Sequence, residues 1–148
     1  MNLVERNGDL FAAPDDCCLA HCISADYALG AGIAKRFNEI YCMRDRLKER
    51  YPILGHPLKY IGKALLIDDA FNLVTKRNYY NKPTFETLES ALMDMRRQCE
   101  KSGIKKLAMP RIASGLDKLP WSGDGECVVK SINKVFGDTD IEVVIYTL

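Results

Sequence analysis

The sequence predicts a layered α/β domain, a mostly parallel or mixed sheet with helices on both faces. Short, apolar, β-rich runs alternate with stretches of helical spacing. The 148 residues, 47% of them hydrophobic, supply one core and are too few for two ordinary domains, so residues 1–148 are read as a single domain. Two strand-to-helix junctions are rich in small residues, the composition of loops that receive a ligand at the carboxyl ends of strands.

Taken in order, a weak strand is expected over 3–6 and a stronger one over 17–23. Ile33, Phe37, Ile40 and Tyr41 have helical spacing, and the alternating charges of 44–50 read as a solvated helix face. Strands follow over 64–67 and 71–74. The helix through Phe85, Leu88, Leu92, Met95 and Cys99 starts after Thr84, an N-cap residue, and stops before Gly103. A strand over 106–109 precedes a last helix through Val128, Ile132, Val135 and Phe136, closed by Gly137 as a glycine cap. The final strand covers 141–146, making six in all, counting the weak one.

Charged residues make up 28% of the chain and nearly cancel to +1, so no global field draws the protein to polyanions or membranes. Residues 1–9 contain no apolar leader core, and no apolar run approaches membrane-spanning length, so a cytoplasmic protein is expected, nucleo-cytoplasmic in a eukaryote. The six cysteines form no C-x-x-C pair and read as reduced core thiols. His21 and His56 have no ligand partners at zinc-site spacing, so no transition-metal site is expected.

The strand ending at Ile23 runs through Ser24 and Asp26 into Gly30, Ala31, Gly32 and Ile33 at a helix start. Glycines let a backbone approach a ligand closely, and the free N–H groups of a helix N-terminus favour an anion. A turn that needs glycine only for its dihedrals fits equally well. A dinucleotide fingerprint does not fit, because Lys35 stands where the third glycine belongs. The second junction, after Met109, reads Pro110, Arg111, Ile112, Ala113, Ser114, Gly115, Leu116 and Asp117. It is either the facing wall of one crevice, with a diphosphate between the two loops, or a tight connection capped by Asp117.

With both loops in view the chain resembles macrodomains, and most of all the terminal ADP-ribose protein glycohydrolase type. The resemblance runs from Gly8 to Leu148. It is carried by Gly8, Asp9, Leu10 and Phe11; by LAHCIS (19–24) with GAGIA (30–34); by Thr75 and Lys76; by Lys82, Pro83 and Thr84; by MPRI (109–112) with GLD (115–117); and by Tyr146, Thr147 and Leu148. It implies a three-layer α/β/α fold around a mixed, roughly six-stranded sheet and an ADP-ribose site. Asp9 and Leu10 would lie at the adenine end, Ser24 and Gly30 to Ile33 along the diphosphate and distal ribose, Arg111 to Asp117 opposite, and Leu148 at the nucleoside side. The second loop departs from the family in placing Ala113 where glycine is frequent, which leaves less backbone freedom there.

The resemblance also places a catalytic lysine on Lys76 and its acidic partner on Asp117. A lysine is protonated at neutral pH, so nucleophilic attack needs its proton removed, and an adjacent aspartate can take it. His21, inside an apolar strand, reads as a core histidine instead. The leading expectation is a hydrolase removing ADP-ribose from a protein carboxylate or a DNA base. Two other readings share the pocket: a non-catalytic reader of ADP-ribose, and a phosphatase or deacylase of ADP-ribose 1″-phosphate or O-acetyl-ADP-ribose. No metal or organic cofactor is implied, the partners are ADP-ribose and ADP-ribosylated protein or DNA without a membrane, and a monomer is expected.

Overall fold

A computed structural model of the chain describes residues 1–148. Six strands form one sheet: β1 (Asn2–Asn7), β2 (Cys18–Ser24), β3 (Ala64–Ile67), β4 (Ala70–Lys76), β5 (Lys106–Met109) and β6 (Glu142–Thr147), in the order β1-β6-β5-β2-β4-β3. Every pairing is parallel except β3 with β4, which are joined by a tight turn. The sheet is therefore mixed, as expected.

The central strands are short and almost wholly apolar because both of their faces are covered. Residues 70–75 of β4 are all buried. Four helices do the covering: α1 (Gly32–Tyr41), α2 (Met43–Arg50), α3 (Phe85–Ser102) and α4 (Val128–Phe136). One buried cluster of 21 residues joins α3 and α4 to one face, through Leu88, Leu92, Met95, Ile132 and Phe136. The other, of 15 residues, joins α1 and α2 to the opposite face, through Phe37, Met43 and Leu47. Each large side chain so buried contributes about 2 kcal/mol relative to exposure.

Helix α3 begins and ends where its sequence signals lie. Thr84 accepts the Thr87 N–H, Thr87 answers with its own hydroxyl in a reciprocal capping box, and Gly103 ends the helix at φ +70°. Three details differ from expectation. Gly137 closes α4 in a right-handed conformation (φ −57°), so its glycine is not required by a left-handed cap; a Cβ there would collide with the Asn133 carbonyl oxygen. Ile40 is exposed, because the stripe of α1 that packs is centred on Phe37. Cys42 is exposed too, in the left-handed link between α1 and α2, while Cys17, Cys99 and Cys127 are buried; all six thiols are free.

One irregularity positions the site. Between Ile23 and Ser24 the pairing of β2 with β4 slips: Ile23 lies opposite Val74, but Ser24 lies opposite Lys76. The bulge turns the ends of both strands toward the same opening, where β5 also ends.

Candidate functional site

The loops that leave β2, β4 and β5 enclose a cleft of about 570 Å³ at the carboxyl ends of those strands. The first wall is the glycine loop. Tyr27 (φ +54°) and Leu29 (φ +44°) hold left-handed conformations that side chains resist, so the surroundings must enforce them. They do so by burial and by hydrogen bonds. Tyr27 is almost fully buried and its phenol donates to the Tyr51 carbonyl at 2.9 Å; burial pushes that phenol well above its ordinary range, so it remains a donor. Arg44, at the start of α2, donates Nε–H to the Tyr27 carbonyl at 3.0 Å, and its guanidinium also reaches the Ala28 carbonyl.

Asp26 fixes the same loop from within. Its Oδ1 accepts the Ser24 hydroxyl at 2.5 Å and the Ala28 N–H at 3.1 Å, and its Oδ2 accepts the Tyr79 N–H at 3.0 Å. The loop delivers Gly30, Ala31, Gly32 and Ile33 to the cleft at the opening of α1, whose N-cap Ala31 makes no side-chain cap. First-turn N–H groups left without a cap suit an anionic group.

The second wall follows β5. Pro110, Arg111, Ile112, Ala113, Gly115, Leu116 and Asp117 line it. Ala113 stands at φ +59°, so the position where the family often has glycine does use the left-handed region, with a methyl group in place. Arg111 is engaged on the outside, donating to Glu5 Oε1 at 2.9 Å with its guanidinium 5.6 Å from the Trp121 ring centre.

Lys76 and Asp117 meet on the floor. Lys76 Nζ donates to Asp117 Oδ1 at 2.6 Å, with the two side chains 13% and 14% exposed, so the pair is shielded yet opens into the cleft. Beside it lies Cys22, whose thiol is pushed up to about 12 by burial first and by the charge of Asp117 second. It is a neutral thiol at physiological pH, a weaker nucleophile than a thiolate.

Of the residues that the sequence pointed to, the cleft gathers Ser24, Gly30, Ala31, Gly32, Ile33, Lys76 and the second loop except Ser114. Five lie outside its lining. Thr75 is buried behind Lys76, its hydroxyl unpaired like that of Ser114. Asp9 caps a short 3-10 turn through the Phe11 N–H at 3.0 Å and pairs with Arg36 of α1 at 3.0 Å, which holds its carboxyl below the usual range. Leu10 is packed into the core, and Leu148 is fully exposed.

The lining also includes Cys22, Ile23, Ala28, Leu29 and Ala34, and the turn Tyr79, Tyr80, Asn81 and Lys82. Sequence reasoning missed that turn as site because no glycine motif marks it; its signal was the aromatic pair three residues beyond Lys76. His21 is a core residue as read: buried, stacked on Phe37 with ring centres 3.8 Å apart, and 2.5 Å from Asn72 Oδ1. Burial holds its imidazole down to about 4, so it is neutral. No three His, Cys, Asp or Glu side chains are grouped to hold a metal ion, and no helix is long and apolar enough to cross a membrane.

Comparison with known proteins places this geometry. The human (Homo sapiens) ADP-ribose glycohydrolase OARD1 is 40% identical over 145 residues, spanning 95% of this chain and 88% of that protein. The chain belongs to the OARD1 family of macrodomains. The fold of this chain is similar to that of the macrodomain of Mycobacterium tuberculosis DarG, with a TM-score of 0.82, 24% identity and coverage of 99% of this chain and 97% of that one. It is matched as well by Thermosipho africanus DarTG, solved in complex with ADP-ribose: TM-score 0.77, 23% identity, 98% of this chain and 41% of that one. No protein-family model matches the chain.

Proposed function

We propose that this family member is an ADP-ribose hydrolase, which releases ADP-ribose from an acceptor with Lys76 as nucleophile and Asp117 as the group that takes and returns protons. The observation that carries the reading is the 2.6 Å contact of Lys76 Nζ with Asp117 Oδ1 on the floor of the cleft. The OARD1 relative, itself named an ADP-ribose glycohydrolase, supports the same activity. ADP-ribose, the ligand of the DarTG complex, would lie with its diphosphate along Gly30 to Ile33 and its distal ribose over Lys76.

The proton must move before the bond forms, because an aspartate that merely neutralises an ammonium group holds it in its unreactive state. Asp117 takes one Nζ proton across the short contact. The freed amine attacks the anomeric carbon of the distal ribose as the bond to the acceptor breaks, and the acceptor leaves with that electron pair and the Asp117 proton. Asp117, again a carboxylate, then deprotonates a water that attacks the same carbon; the carbon–Nζ bond breaks, and the proton returns to Lys76. No electron carrier or metal is needed for this balance. Arg44 and Asp26 act earlier, by fixing the loop that holds the ligand.

The test is release of ADP-ribose from a glutamate-modified peptide and from base-modified DNA, with wild type and Lys76→Ala side by side. Loss of release by at least about a hundredfold in the variant is the expected result. Borohydride should trap a Lys76 adduct, through its ring-opened imine, visible by intact mass. Tight ADP-ribose binding with no release from either substrate would make the protein a reader, and release that survives Lys76→Ala would rule out Lys76 as the nucleophile.

A further inference from the structure

Resting on the glycohydrolase reading, we propose that Tyr79 and Tyr80 form an acceptor subsite, an aromatic platform on which a planar base of a single-stranded nucleic acid stacks while Lys76 acts on the ribose. The two residues follow Lys76 closely and occupy the centre of a turn closed from both sides: the Asn81 N–H donates to the Asn78 carbonyl at 3.0 Å, and the Asn78 N–H to Asn81 Oδ1 at 2.9 Å. A turn so closed projects its central side chains away from the core. Tyr79 is 68% exposed and Tyr80 69%, their ring centres are 5.3 Å apart at 85°, and both line the cleft. Paired aromatic rings left in water at a cleft mouth mark a contact surface rather than unused core.

The platform is held at a fixed distance from the chemistry. The Tyr79 N–H is bound by Asp26, the carboxylate that also fixes Ser24 and Ala28 of the glycine loop. Lys82, at the far side of the turn, donates from Nζ to the Leu116 carbonyl at 3.1 Å and so ties the turn to the opposite wall. Asp26 is therefore a positioning residue that couples the ribose side of the cleft to the tyrosines.

Charge selects the occupant. Arg77 and Lys82 flank the pair, and neither joins a salt bridge. In the cleft lining, Asp117 is the one acid and is engaged by Lys76, and Arg111 is engaged by Glu5; Arg77 and Lys82 are then the cations beside the rings, while the Asp26 carboxylate under Tyr79 is taken up by the Ser24 hydroxyl and the Ala28 and Tyr79 N–H groups. Exposed aromatic faces beside cations that no carboxylate neutralises are a means by which proteins hold single strands, the rings stacking on bases and the cations meeting phosphates. An aliphatic carboxylate ester has no π face to offer such a platform.

The experiment compares kcat/KM on two substrates, a single-stranded oligonucleotide carrying ADP-ribose on a base and a peptide carrying it on glutamate. Tyr79→Ala and Tyr80→Ala are expected to lower the oligonucleotide-to-peptide ratio of kcat/KM by about tenfold each, and Tyr→Phe at either position to restore it, because stacking needs the ring and not the hydroxyl. The ratio is unaffected by a general loss of folded protein, which scales both substrates alike. An unchanged ratio, with the wild type active, overturns the subsite alone. So does a fall in free ADP-ribose affinity as large as the fall on the oligonucleotide, which would make the tyrosines part of the ADP-ribose holder. A wild type that binds ADP-ribose but releases it from neither substrate overturns the glycohydrolase reading and the subsite with it.

Discussion

Leu116 lies over Gly32 from the opposite wall of the cleft: a Cβ on Gly32 would stand 3.3 Å from Leu116 Cδ1. The two loops thus approach each other across the cleft, and Gly32 holds a φ of +58°, which side chains resist. Leu116 is largely exposed and can yield. The backbone cannot, so Gly32→Ala should cost about 1–2 kcal/mol of stability from the left-handed conformation alone. It should also weaken ADP-ribose binding by about tenfold, an effect of roughly 1.4 kcal/mol. Calorimetric titration and urea unfolding of the variant check both; wild-type values in both would mean that the loop relaxes freely.

Arg44 makes a second case for a loop held under strain. Its guanidinium serves the carbonyls of Tyr27 and Ala28, the first of which belongs to a residue in the left-handed region. Arg44→Ala leaves those acceptors without their donor, at about 1–3 kcal/mol. ADP-ribose affinity is expected to fall by about tenfold, and Arg44→Lys, with one compact donor group in place of a fork, to recover only part of it. Full affinity in Arg44→Ala would show that burial of Tyr27 and Leu29 suffices to shape the loop.

Ala113 departs from glycine at a place that uses a glycine conformation, with φ +59°. Ala113→Gly removes a strain of about 1–2 kcal/mol but frees the unfolded chain by about 0.4–1 kcal/mol and gives up a buried methyl. The net expectation is a change of no more than about 1 kcal/mol in either direction. A loss well beyond that in chemical denaturation would mean that methyl packing, not the dihedral, governs the position.

How much of this was legible in the sequence depended on how local its cause was. Helix α3 could be read at both ends because Thr84 and Gly103 act within a few residues of themselves. Strand β5 was readable from its flanks, and the two loops from their small residues, which fitted a plain turn as well as a ligand loop until both were seen in one cleft. Lys76 and Asp117 were paired by resemblance; 41 positions separate them, and only the sheet order that brings β4 and β5 to either side of β2 makes them neighbours. Asp26 was visible only as a loop residue, because its hold on Tyr79 crosses from one loop to another. Arg44 sat within a run of alternating charges that read as solvated, and nothing in that run distinguishes the one arginine that turns inward from those that face water. Gly137 shows the converse, a correct helix end with a different cause, crowding against Asn133 instead of a left-handed cap.

His21 ties the core under the site to pH. Its imidazole is held down to about 4 by burial, against 6.5 in an open chain, so the folded protein refuses a proton that the unfolded chain accepts. The stability this provides is complete above pH 6.5 and is lost as pH falls toward 4, on the order of 3 kcal/mol across the window. Carboxylates such as Asp9, lowered from 3.8, act at still lower pH: their stabilisation is present above the ordinary aspartate range and is lost as pH falls through the depressed folded value. Urea unfolding between pH 7 and pH 4.5 should therefore show a steady decline in the wild type. His21→Gln keeps an N–H for Asn72 Oδ1 but cannot titrate, so it should be less stable at pH 7, having lost the stack on Phe37, and flatter across the window. An equally steep decline in the variant would assign the pH dependence to other groups.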